Sequence, residues 1–388
     1  MKRKKYRAIL FANTLWFINN FKMPLIEELI NKNFDIEIIY LRLGPPISSK
    51  NKFSVNSIPS YEFTSYLILV LKRIIRRQKI KTTFLFSFTI GPILLSMLPL
   101  FNRHLKFATL EGLGRVFSSR AIFFRILKRF IQVIYKIIFT NFYKGIFVLN
   151  YSDYAYLLER QIVQISKLHI IPGTGINSKI FNPKSLISER RKLGLLNQKG
   201  GELLLEDMFI TFIGRISIDK GFYRFIAAIN YLLNDKRYSS LKFRIVSPKS
   251  DIDNINLDLR EFLFNKNIVL KEYISNPICY YASSKIIVIP TTYGEGLSRV
   301  ALEAGFLGVP IVAIQNRGLS SLFMDGVIGE TTTDTEPYGI SRLIKKIIDN
   351  YSEYSYFSEN VFNSLSSKYD NKVSANTVIN VLSYYFEH

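Results

Sequence analysis

Apolar, β-branched runs alternate with amphipathic stretches along most of the chain, the pattern of strands and helices taken in turn. Tyr6 to Ala12 predicts a first strand, Met23 to Asn31 a helix and Phe34 to Tyr40 a second strand. Farther on, Phe209 to Ile213 predicts a strand that runs into the amphipathic helix Phe222 to Leu233. Lys285 to Pro290, an apolar run bounded by a serine pair and a proline, predicts a buried strand ahead of another helix. Such alternation argues for α/β folding with parallel sheets. It breaks between Ile171 and about Glu206, at Pro172, Pro183 and the polar run Asn197 to Gly201, which places a boundary there. No repeat at solenoid spacing is present.

Candidate chemistry sits where two of these strands meet their helices. After Pro290 come Thr291-Thr292-Tyr293-Gly294-Glu295-Gly296-Leu297-Ser298, with Glu303 eight positions beyond Glu295. A helix starting near Leu297 offers free N–H groups and a positive dipole end to anionic oxygens. At ~1.5 Å per residue, eight helical steps separate the two carboxylates by ~12 Å, the scale of two sugar rings either side of a diphosphate. Glutamates near a helix start are also ordinary surface residues. The second turn, Gly214-Arg215-Ile216-Ser217-Ile218-Asp219-Lys220-Gly221, flanks an arginine and a lysine with glycines, so a forked guanidinium and a flexible ammonium converge on one anion.

With Gly214-Arg215 and Lys220-Gly221 followed by Glu295-Gly296-Leu297 and Glu303, the chain resembles the retaining glycosyltransferases of family 4. Ile171-Pro172-Gly173-Thr174-Gly175-Ile176-Asn177 is similar to that family's crossover between domains. Asn13-Thr14, Asn20 to Ile26 and Gly112-Leu113-Gly114-Arg115-Val116-Phe117 are similar to loops of bacterial surface-polysaccharide members, including those of O antigen and capsule. Gly318, Asp325-Gly326 and Gly329 fall where the family turns after its glutamate helix.

The resemblance implies a GT-B fold, two Rossmann-like domains with parallel sheets facing a central cleft. Residues 1–180 form an acceptor-binding domain, 181–372 a nucleotide-sugar-binding domain, and 373–388 a helix that packs back on the first. It implies transfer of a hexose or N-acetylhexosamine, with retained configuration and no cofactor or metal. The donor is a nucleotide diphosphate sugar, with uridine favoured over guanosine. The acceptor is a polyprenyl-diphosphate-linked saccharide. Arg215 and Lys220 neutralise the departing diphosphate, Glu295 contacts the donor sugar and Glu303 the ribose. Backbone N–H groups of Gly296, Leu297 and Ser298 face sugar and phosphates, and Gly214 lets the backbone approach.

This chain departs from the family in its first domain. Many members carry a histidine near the reacting sugar, whereas His104, His169 and His388 stand in no such motif. Glu111 replaces a threonine before Gly112 and Gly114; it is read either as an acceptor-orienting carboxylate or as a loop residue. Ser321 stands where an acidic residue is common. Asp251-Ile252-Asp253 has the spacing of a metal-binding pair, but its polar flanks favour a helix cap or solvated turn.

Composition and charge complete the picture. A length of 388 residues with 48% apolar content suits two buried cores. A single cysteine, Cys279, excludes an internal disulfide and a cysteine-based metal cage. The basic start lacks the pattern of a signal peptide, because Asn13, Asn19 and Asn20 interrupt its apolar stretch. Thr82 to Asn102 approaches bilayer length but is split by Gly91-Pro92, which predicts a buried strand Phe84 to Phe88, a loop and a short helix.

The formal charge of +22 is concentrated at Lys2 to Lys5, Lys72 to Lys81 and Arg120 to Lys136. On a helical wheel, Arg125, Lys128, Arg129 and Lys136 fall within about 100° beside a wide apolar face, which suits a core helix or an anionic membrane surface. The expected location is cytoplasmic, peripheral to the membrane. A nucleic-acid binder is disfavoured for want of any recognisable motif. A nucleotide-sugar epimerase or an inverting transferase of the same fold remains an alternative.

Overall fold

The computed structural model describes residues 6–42, 60–61, 82–98, 101–118, 122–196, 203–355 and 359–386. The predicted basic clusters at 2–5 and 72–81 and the polar run 197–201 lie outside them. Packing divides the chain into unit 1, comprising 1–175, 295–297 and 371–388, and unit 2, comprising 176–294 and 298–370. These bounds differ from the expected 180/181 and 372/373. The largest difference is internal: Glu295–Leu297, expected in the second domain, pack with unit 1.

Unit 1 is built on β1 (Tyr6–Thr14), β2 (Phe34–Arg42), β3 (Ser60–Tyr61), β4 (Thr83–Phe88), β5 (Leu105–Leu110), β6 (Tyr143–Val148) and β7 (Leu168–Ile170). They form one sheet in the order β3-β2-β1-β4-β5-β6-β7, every pair parallel. Parallel strands bury both faces, which is why β4 is apolar nearly throughout and buried at all six positions. One face carries Phe84, Phe86, Phe107 and Phe147; the other carries Ala108 and Ile146 beneath the helix Ile122–Asn141. The C-terminal helix, Asn371–Phe386, joins the first of these cores through Val378, Ile379 and Leu382.

Unit 2 repeats the plan with β8 (Phe209–Ile213), β9 (Lys242–Ser247), β10 (Ile268–Glu272), β11 (Ser284–Ile289), β12 (Ile311–Ile314) and β13 (Gly329–Thr332). Their order is β10-β9-β8-β11-β12-β13, again parallel. Both sheets are therefore doubly wound, α/β as expected. In each the strand order reverses once, between β1 and β4 in unit 1 and between β8 and β11 in unit 2, the position beside whose carboxyl ends open α/β sheets generally bind ligands.

The predicted loop at Gly91-Pro92 is absent. Helix Ile90–Leu95 begins directly after Thr89, with Pro92 in its first turn, where a missing N–H leaves no hydrogen bond unmade. No helix among the described residues is long and apolar enough to cross a membrane.

One buried cation marks an energetic cost. Lys106 on β5 is 2% exposed, its Nζ has no hydrogen-bond partner among the described residues, and it lies 5.5 Å from the centre of the Phe142 ring. Burial lowers its pKa to about 8. Between about pH 8 and the usual lysine value the unfolded chain holds the extra proton, so this group's cost is full below pH 8 and fades as pH rises. Lys106→Met is predicted to raise stability at pH 7 by about 2 kcal/mol. The gap from wild type, followed by thermal unfolding, should narrow between pH 8 and 10; a gap that stays constant with pH contradicts this reading.

Candidate active site

In unit 2 the two predicted turns leave neighbouring strands on either side of the point where strand order reverses. Gly214 to Gly221 follow β8, and Pro290 to Ser298 follow β11. The turns touch. Gly221 has φ +75°, and a Cβ there would lie 1.9 Å from the Pro290 carbonyl oxygen, so only glycine lets the loops close on each other. Thr291 Oγ1 donates to the Asp219 carbonyl at 2.8 Å, and Asp251 accepts from the Ile216 N–H at 3.0 Å. Arg215 is exposed and Lys220 half-buried, both on this clamped loop.

Anion-binding capacity is divided unequally between the helices that follow. Gly221 caps the twelve-residue helix Phe222–Leu233 without a side-chain oxygen, so no cap side chain covers its first-turn N–H groups. The other helix starts later than expected. It spans Arg299–Leu307, and Ser298 is its cap, Oγ accepting from the Ala301 N–H at 3.4 Å. Glu295 therefore lies outside the helix, and the eight-step helical separation from Glu303 does not hold. The helix that directly follows the two cations in the chain is Phe222–Leu233, whose first N–H donates to the Ser217 carbonyl at 3.3 Å and whose cap supplies no side-chain acceptor.

Glu303 is buried, with both carboxylate oxygens engaged. Tyr281 Oη donates to Oε2 at 2.7 Å and Arg299 Nε to Oε1 at 2.8 Å. Burial, followed by the Glu303 carboxylate, pushes the Tyr281 hydroxyl well above its usual range, which keeps it a proton donor. Each oxygen retains a further lone pair for a ligand hydroxyl.

Gly296 and Leu297 make contacts within unit 1. Asn150 Nδ2 donates to the Gly296 carbonyl at 2.7 Å, while its Oδ1 accepts from the Asp153 N–H at 2.8 Å, capping helix Tyr151–Glu159. A Cβ on Gly296 would come within 2.7 Å of the Glu111 backbone. Leu297 packs against Gly173 and the core of β4 and β5, which explains why an apolar residue at helical spacing is not helical. Glu295 itself is half-buried.

Glu111 follows β5 and is no plain loop residue. Lys22 Nζ donates to its Oε1 at 2.6 Å, with Lys22 buried over the Phe88 ring at 4.7 Å. Gly112 and Gly114 continue that turn into the short helix Gly114–Ser118. Thr14 is committed to structure: its hydroxyl caps helix Leu15–Phe21 by accepting from the Phe17 N–H at 3.1 Å. Asn13 lies near Gly91, its Oδ1 3.1 Å from where a Cβ would stand. His104 stands just before β5, at the end of that strand opposite Glu111, and His169 lies on β7.

Sequence reasoning missed Lys22, Asn150, Tyr281, Arg299 and Asn316, whose Nδ2 donates to the Thr291 carbonyl at 3.5 Å, and it read Asp251 as a cap or solvated turn without its Ile216 partner. Only Asn150 and Asn316, each heading a helix, carry a local signal. The Asp251–Asp253 pair lies in a short helix, Lys249–Asp253, and Asp251 fastens the basic loop. Among the described residues no group of three or more metal-ligating side chains occurs.

Residues 197–364 match the family of glycosyl transferases, group 1. The capsular polysaccharide biosynthesis glycosyltransferase CapM of Staphylococcus aureus is 26% identical over 181 residues, 46% of this chain and 46% of that protein. A D-inositol 3-phosphate glycosyltransferase of Paenarthrobacter aurescens (strain TC1) is 25% identical over 193 residues, 48% of this chain and 44% of that protein. The matches thus span less than half the length of these curated relatives. Among solved structures, Anabaena Alr3699/HepE in complex with UDP and glucose superposes with a TM-score of 0.70 at 15% identity, covering 97% of this chain and 99% of the other. The sucrose-phosphate synthase of Thermosynechococcus elongatus gives 0.74 at 15%, covering 98% and 99%. At such identities the likeness establishes the GT-B fold alone.

Proposed function

We propose, with residues 197–364 belonging to the group 1 glycosyl transferases, that this chain moves a hexose or N-acetylhexosamine from a nucleotide diphosphate sugar to a saccharide acceptor, with retention. One observation carries the reading: the Arg215/Lys220 turn and the turn before Ser298 leave β8 and β11 at the strand-order reversal and lock together at Gly221 and Pro290. Two cations and an uncapped helix N-terminus there suit a diphosphate. Arg215 and Lys220 stabilise the leaving group, Glu295 meets the donor sugar and Glu303 accepts from the ribose. Catalysis then needs no side-chain nucleophile, because a diphosphate oxygen receives the acceptor's proton as the glycosidic bond forms on the face the diphosphate leaves.

HepE complexes with UDP and with UDP-glucose support a uridine donor. CapM's role in capsular polysaccharide biosynthesis supports a place in bacterial surface polysaccharide assembly on a polyprenyl-diphosphate carrier. A charge of +22 supports work at the cytoplasmic face of an anionic membrane. The test is incubation of the full chain with UDP-hexoses and a lipid-linked saccharide, with NMR of the new anomeric bond and EDTA in a parallel reaction. The reading expects a product of the donor's own configuration whose yield EDTA leaves unchanged. An inverted product, a metal-restorable loss, or conversion of the donor sugar without any acceptor would contradict it.

A further inference from the structure

The helix Ile122–Asn141 of unit 1 has two apolar faces, and its own core uses only one. Tyr135, Ile138 and Phe139 are buried against β5 and β6, with Ile131 and Ile134 packed on the same cluster. On the other side Ile122, Phe123, Ile126, Phe130, Val133 and Ile137 are 70, 67, 68, 63, 58 and 53% exposed. At ~100° per residue these six occupy one continuous arc of about 100° along the whole helix. Six side chains of this size, more than half bare, exceed the few hundred Å² of apolar patch that soluble monomers ordinarily expose. Beyond the helix, Phe142 and Ile165 are also bare, at 49 and 70%. Lys167 ties the Ile165 turn to the helix end by donating to the Phe139 and Thr140 carbonyls at 3.2 and 2.6 Å.

Charge selects the occupant. Arg125, Arg129 and Lys136 are exposed and lie within about 60° of one margin of the arc, and the helix contains no acidic residue. Lys128 turns away, its Nζ 4.9 Å from the centre of the Tyr156 ring. A second copy of the chain would bring the same three cations against each other, because a two-fold contact repeats one patch on both partners. An anionic bilayer offers both complements at once, acyl chains for the arc and headgroup phosphates for its margin.

We propose that this face of the Ile122–Asn141 helix lies in the plane of an anionic bilayer, its six apolar side chains entering the headgroup–acyl boundary and Arg125, Arg129 and Lys136 meeting lipid phosphates. The helix docks without crossing, since its opposite face is held in the core of unit 1. This deepens the membrane part of the function proposed above and stands independently of the transfer reaction.

Flotation of the full chain with phosphatidylcholine vesicles, with and without about two-fifths phosphatidylglycerol, tests it. Wild type should bind the anionic vesicles and lose most of that binding in high salt or on phosphatidylcholine alone. The exposed double variants Ile126→Ser/Phe130→Ser and Arg125→Glu/Arg129→Glu should each weaken binding tenfold or more with unchanged thermal unfolding. Stabilisation by a uridine diphosphate sugar, measured on the same samples, should also be unchanged; failure of that shift in wild type would count against the transfer reading and leave this one standing. Wild-type levels of vesicle binding in both variants would overturn the proposal. So would a self-association that only the apolar variant dissolves, with no vesicle binding.

Discussion

Arg215→Ala and Lys220→Ala are each expected to lower turnover by roughly 10² to 10³-fold, the scale of removing one donor aimed at charge that develops in a transition state. Donor binding should fall less, by about 10 to 100-fold, because a hydrogen bond to a charged group contributes ~1.5–3 kcal/mol. Neither change should move thermal unfolding much. Arg215 is exposed and the loop is pinned by other groups, namely Thr291 to the Asp219 carbonyl and Asp251 to the Ile216 N–H. Steady-state kinetics with a uridine diphosphate sugar, beside a thermal-shift titration, separates these quantities. Full activity in either variant would remove that side chain from the diphosphate site.

The second large effect concerns backbone. Gly221→Ala places a methyl group 1.9 Å from the Pro290 carbonyl oxygen at φ +75°, where the obstacle is main chain and cannot rotate aside. A left-handed alanine costs ~1–2 kcal/mol and forced overpacking another ~1–3, so a loss of about 3 kcal/mol is expected. For a unit of this size that lowers the unfolding midpoint by about 10 °C. Relief of the clash must push the two turns apart, so donor affinity should fall together with stability. Gly214→Ala in the same loop is the contrast. Its backbone is ordinary, and the three atoms nearest a Cβ there all belong to the Phe212 ring, from 3.2 Å, so a loss under about 1 kcal/mol is expected. Equal effects of the two substitutions would refute the loop-contact account.

What the sequence discloses here is set by range. Phe209–Ile213 and Phe222–Leu233 fold with the bounds their apolar pattern predicts, since periodicity is a local property. The turns between them are equally legible, because Gly221 and the Arg215/Lys220 pair announce themselves within eight residues. The helix start at Arg299 rather than Leu297 is a local misreading with a distant cause. Leu297 fits the helical spacing but is claimed by the core of unit 1, and Ser298 takes the cap.

Contacts that sheet order creates leave no trace in spacing. Lys22 reaches Glu111 across 89 positions, and Tyr281 reaches Glu303 across 22. Such pairs follow from which strands become neighbours, a choice that tertiary packing makes. Thr14, singled out for binding, also caps the helix beside it, a role its position before Leu15 leaves legible.

The central claim, that the turns after β8 and β11 grip one diphosphate, is tested most directly by a crystal structure of the full chain with a uridine diphosphate sugar bound. The account predicts diphosphate oxygens at about 3 Å from the Arg215 guanidinium and the Lys220 ammonium, facing the first turn of Phe222–Leu233. A diphosphate bound elsewhere, with both of those side chains out of reach, would contradict it.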